Sequence, residues 1–94
     1  MTTTIKNLAE LKRLIQPGVQ IKTLEHFVPR WQDTTRTVTK VQTNGYWFTI
    51  PGVTEEVWTD FPKSGQVTFP APGQFKIVVQ MSPSVARSCT MEFV

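Results

Sequence analysis

The stretch Thr37-Val38-Thr39-Lys40-Val41-Gln42-Thr43-Asn44-Gly45-Tyr46-Trp47-Phe48-Thr49-Ile50 decides the fold class. A β-branched run and an aromatic run flank Asn44-Gly45, the preferred centre of a two-residue type I′ hairpin because both residues tolerate positive φ. Such a turn sets a register in which Thr43 faces Tyr46, Gln42 faces Trp47, Val41 faces Phe48 and Lys40 faces Thr49. Val41, Phe48 and Ile50 then make an apolar face, with Lys40, Gln42, Trp47 and Thr49 on the opposite one.

Upstream of the hairpin the period changes. In residues 7–16, Leu8, Leu11, Leu14 and Ile15 recur at three- and four-residue spacing opposite Lys12 and Arg13, which predicts one short helix. Asn7 with Glu10 resembles a capping box, and Pro17-Gly18 ends the helix. A helix this short is not stable alone, so its leucine stripe must dock on the rest of the domain. From Val19 the period is two: Val19, Ile21 and Thr23 face one way, Gln20, Lys22 and Leu24 the other, until Pro29 and the polar Gln32-Asp33-Thr34.

Downstream, strands are predicted over 56–61, 66–69, 74–81 and 88–94, separated by Pro62-Lys63-Ser64-Gly65, Pro70-Ala71-Pro72-Gly73 and a loop containing Pro83. Phe75, Ile77, Val79 and Met81 share one face, as do Cys89, Met91 and Phe93. The expected fold is a single α+β domain over residues 1–94, mostly antiparallel β, with the β region over 19–94. It would be a small SH3-like or OB-like barrel or coiled sheet of about five to six strands with one N-terminal helix. The terminal strand is apolar to Val94. It is expected either to close the barrel or to offer an edge to another chain, which would make a homodimer.

Ninety-four residues leave no room for a second core. Ten aromatic residues and 39% hydrophobic content exclude a disordered chain. No apolar run approaches the roughly 20 residues a membrane span needs, and Met1-Thr2-Thr3-Thr4 does not open a signal peptide, so no membrane association is expected. The single Cys89 allows no internal disulfide and fits a reducing cytoplasm. The net charge of +3 favours anionic partners only weakly, because Lys12-Arg13 is the single adjacent basic pair.

Chemistry is sparse. The one histidine, His26, and the one thiol, Cys89, stand far apart in sequence and lie in no nucleophile motif, so Cys89 reads as a small core residue and His26 as a rim residue. Zinc wants about four ligands, and the adjacent Glu55-Glu56 would point to opposite faces of a strand; no metal is expected. The five glycines all fall at predicted turns, so no phosphate-cradling loop and no cofactor is expected. The chain therefore reads as a non-enzyme. The candidate binding face carries Lys40, Gln42 and Trp47, extended by Arg36 and Trp31, since a cation beside an aromatic ring suits a nucleobase and its phosphate. The competing reading packs Trp47 beneath the helix stripe.

Asn7-Leu8-Ala9-Glu10-Leu11-Lys12, the segment Arg36 to Gly45, and Trp58 with Phe61-Pro62-Lys63 together resemble small uncharacterised proteins of bacteriophages and mobile elements. The likeness spans about residues 5–80 and carries over no functional residues. It implies a phage or prophage context and brings no known activity. By analogy with small phage accessory proteins, the expected function is stoichiometric binding to a protein partner in the cytoplasm of a bacterial host cell, in the manner of inhibitors of host systems. The alternative is a small nucleic-acid-binding module using the basic and aromatic face.

Overall fold

The computed structural model describes residues 4–94, the side chains of residues 30 and 81 excepted. The side chain of Met81, expected beside Phe75, Ile77 and Val79, thus lies outside the described residues. One helix, α1 (Leu8–Leu14), precedes seven strands: β1 (Gln20–His26), β2 (Thr35–Gln42), β3 (Gly45–Thr49), β4 (Val57–Asp60), β5 (Val67–Thr68), β6 (Gln74–Ser82) and β7 (Val85–Phe93). All pair antiparallel in one sheet of order β4-β3-β2-β1-β7-β6-β5. The fold is α+β and mostly antiparallel, as the sequence predicts, with seven strands in place of five to six.

Two meanders, β1 to β4 and β5 to β7, meet where β1 pairs with β7. The chain must then pass from β4 to β5, at opposite ends of the sheet, through residues 61–66. Even fully extended, that link reaches only about 24 Å. Six flat interstrand steps would separate the two ends by about 29 Å. Three of the linking residues, Ser64–Gln66, form a compact 3-10 turn, which shortens the reach further. The sheet therefore curls until its ends approach. It does not close: no ladder joins β4 to β5 among the described residues, and strands of four and two residues are too short to seal the gap.

Local signals explain α1. The Asn7 side chain accepts the Glu10 N–H at 2.9 Å, Glu10 in turn accepts the Lys6 N–H at 2.9 Å, and Lys12 and Arg13 lie in the last turn. Leu11 and Ile15, with Ile5, join Ile21, Val38, Phe48, Phe75 and Met91 in one core. The helix thus packs inside the curl, as its length requires.

The hairpin differs from its predicted register. Its turn is Thr43-Asn44, with Gln42 opposite Gly45, Val41 opposite Tyr46 and Lys40 opposite Trp47; a bulge at Thr39 then sets Val38, not Val41, opposite Phe48. Asp33 is the only described non-glycine residue with positive φ, and Gly45 is not among the glycines that have it, so this is no type I′ turn. Gly45 answers a different need. A Cβ there would collide with the Thr59 carbonyl oxygen and stand 2.6 Å from Cζ2 of Trp58. The glycine lets β4 lie against β3.

The C-terminal strand also departs from expectation. β7 begins at Val85; β6 pairs along most of its length, and β1 covers its other side only from Cys89 to Phe93. Its apolar end, Cys89–Phe93, lies between two strands and closes no barrel, while Val85–Ser88 stay open on the β1 side. Among the described residues the unpaired edges include β4, Val85–Ser88 of β7 on its β1 side, and β6 beyond Ile77, because β5 covers only Lys76 and Ile77.

Two substitutions test these contacts by chemical denaturation. Leu11→Ala, at a fully buried site, should cost about 2–4 kcal/mol. Gly45→Ala should cost about 1–3 kcal/mol, with β4 the first strand to lose hydrogen-exchange protection, because the new methyl must push it away.

Candidate functional site

Curling leaves a cavity of about 530 Å³ on the concave side of the sheet. One wall is β4 with Phe61 and Pro62; the opposite wall is Ile77 and Val79 of β6 and Cys89 and Met91 of β7. His26, Trp31, Arg36 and Phe48 line the part between them. Two irregularities aim these side chains. The bulge at Thr39 reverses the alternation of β2, so Arg36 and Val38 share the inner face with Val41 while Lys40 faces outward. A second bulge, between Thr23 and Glu25, brings His26 round to the cavity. Trp31 is carried by a 3-10 turn, Pro29–Trp31, and meets Phe48 edge-on at 6.1 Å.

Arg36 is the unusual group in this lining. It is 4% exposed, and its guanidinium lies 4.1 Å from the centre of the Phe48 ring. Nη1 donates a long hydrogen bond, 3.4 Å, to the Tyr46 hydroxyl, and Nε is buried without a partner. Among the described residues no carboxylate is paired with it. An arginine stays charged in a protein, so among the described residues this is a buried cation without a counter-ion.

The charge of Arg36 acts on its neighbours. Burial pushes the Tyr46 hydroxyl and the Cys89 thiol above their ordinary pKa values, and Arg36 partly offsets both. Burial, then Arg36, pulls His26 below 6.5. His26 and Cys89, distant in sequence, are in fact cross-strand partners of β1 and β7. A thiolate–imidazolium pair would need the thiol lowered and the imidazole raised. Both shifts run the other way, and His26 Nδ1 is occupied by the Val28 N–H at 2.9 Å.

The five predicted binding residues fall into two sets on opposite faces. Lys40 and Trp47 are cross-strand partners on the outer face, Gln42 shares their side of β2, and Trp58 of β4 lies beside Trp47 with ring centres 5.4 Å apart. Trp58 Nε1 donates to Asp60 at 3.1 Å. Trp47 belongs neither to the core nor to the residues packed on it, so the helix does not cover it. Arg36 and Trp31 instead line the inner cavity. Strict alternation groups Arg36 with Lys40; the bulge separates them. The available sequence signal was Val38 and Val41, two valines three apart that cannot share a face without such a bulge. Pairing of His26 with Cys89, and the contribution of β4 to the cavity, had no local signal.

Among the described residues no three His, Cys, Asp or Glu side chains group to hold a metal ion, and no helix is long and apolar enough to cross a membrane. The chain matches no family model, and no curated protein or solved structure is significantly similar to it. Fold and site themselves define its class: an α+β protein whose open antiparallel sheet curls round a cavity with a buried arginine.

The lowered pKa of His26 has a consequence for stability. Below pH 6.5 the unfolded chain takes up a proton that the folded imidazole refuses, so stability falls with pH from 6.5 down to the lower folded value. His26→Asn keeps an acceptor for Val28 and removes the titration. Thermal melts between about pH 7.5 and about pH 5.5 should show a larger loss for the natural protein than for the variant.

Proposed function

We propose that this chain is a non-enzymatic accessory protein of the phage type that acts by stoichiometric binding to a protein partner, capturing an extended partner segment at its sheet edges. The observation that carries this reading is the pair of unpaired edges, β4 and the outer part of β6, which flank the mouth of an apolar cavity. An edge offers a row of backbone donors and acceptors to an incoming strand, and a neighbouring pocket selects its side chains. A strand added there would continue the sheet toward the barrel that the chain alone leaves open. The resemblance to mobile-element proteins supports a role against a host component, and the opposed pKa shifts of Cys89 and His26 speak for binding over catalysis.

A second reading has its own observation: Lys40, Trp47 and Trp58 form a basic and aromatic row on the outer face, suited to stacking single-stranded nucleic acid. One experiment separates the two. A photo-crosslinking residue at Glu56 or Asp60, beside the β4 edge, should give a defined one-to-one protein adduct in nuclease-treated host extract, and one at Lys22 of the central strand β1 should not. Adducts of equal yield at all three positions would overturn edge capture. Retention on single-stranded DNA that falls steeply with salt and is lost in Lys40→Ala and Trp47→Ala would establish the second reading instead.

A further inference from the structure

We propose that the cavity binds a carboxylate carried on an apolar body, with the Arg36 guanidinium as its counter-ion. This goes beyond edge capture and does not depend on it. Three observations converge. Arg36 is more than nine-tenths buried and lines the cavity, yet its Nε has no partner, and its single hydrogen bond, from Nη1, is long. A buried charge left so poorly satisfied is costly, and the ligand that relieves the cost is an anion. Around it the walls are apolar and aromatic, with Trp31, Phe48, Ile77 and Met91. A volume of about 530 Å³ accepts a ring or branched chain besides the anionic head.

The charge balance selects the anion. Among the described residues Arg36 is the one lysine or arginine in the lining, and His26 is held toward its neutral form. Asp60, whose carboxylate accepts from Trp58 Nε1 on the outer face, leaves the Arg36 charge uncompensated. One guanidinium matches a monoanion, whereas a phosphate near pH 7 carries up to two charges. The planar fork of arginine fits a carboxylate with two parallel N–H donors. Such a head group comes from a free arylalkanoate or from the C-terminal residue of a peptide, and only the peptide carries an amide nitrogen on the carbon beside the carboxylate.

The test uses the full chain and four probes: 4-phenylbutyrate, its amide, the peptide acetyl-Gly-Gly-Phe with a free C-terminus, and the same peptide amidated. Binding is followed by NMR titration of the backbone amides lining the cavity. At least one carboxylate should bind at least about tenfold more tightly than its amide. The tighter of the two carboxylates identifies the source. Arg36→Met, which replaces the buried charge with an apolar chain of similar length, should melt at the same or a higher temperature and lose that preference. An arginine serving only the fold would instead give a variant of lower melting temperature. If neither carboxylate exceeds its amide in the natural protein, or if Arg36→Met retains the preference, the proposal fails; should the variant not fold, the four probes on the natural chain decide alone.

Discussion

The structure depends on one constraint: a six-residue link must join strands at opposite ends of a seven-stranded sheet. A flat sheet would put those ends farther apart than the link can reach. Curling is therefore forced by connectivity, and the natural twist of antiparallel strands supplies its direction. The curl creates an inner face that buries Ile21, Val38, Tyr46, Phe48, Phe75 and Met91, and a space for α1 to deliver Leu11 and Ile15. The cavity is the volume this filling leaves.

Two bulges turn the curled sheet into a site. Without the extra residue at Thr39, strict alternation would send Arg36 to the same side as Lys40, out of the cavity. Without the irregularity after Thr23, His26 would lose its place opposite Cys89. Each bulge interrupts a ladder and re-aims one side chain, which is why such features gather at sites. The result is a buried cation on an aromatic ring, with neighbouring thiol, phenol and imidazole all held toward their neutral forms.

Openness matters as much as curvature. The apolar end of β7, Cys89–Phe93, is protected, because β1 and β6 cover it from both sides. Exposed edges fall instead on β4, on the far part of β6 and on the start of β7, where strands are short or overhang their neighbours. Beside them Trp58 covers Gly45 and touches Trp47, so the β4 edge is stiffened by aromatic packing while its outer side stays free of any described strand. The proposed capture of a partner segment uses that arrangement.

Periodicity and capping made α1, the strands and the α+β class legible in the sequence, since each rests on contacts within a few residues: Asn7 with Glu10, Leu11 with Ile15, the alternation through Cys89, Met91 and Phe93. The separation of Lys40, Gln42 and Trp47 from Val41 and Phe48 was legible for the same reason. The hairpin register was not, because Asn44-Gly45 has a strong local preference that a nonlocal need overrode: Gly45 is required where β4 crosses it, and β4 lies more than ten residues away. The place of Arg36 was hidden likewise, a bulge being one residue of slack that only the packing of both faces selects. By itself the sequence determined the elements and the inventory of charged and aromatic groups; tertiary structure alone decided which of them meet, since the curl, the cavity and the buried Arg36 guanidinium arise from contacts between strands far apart in the chain.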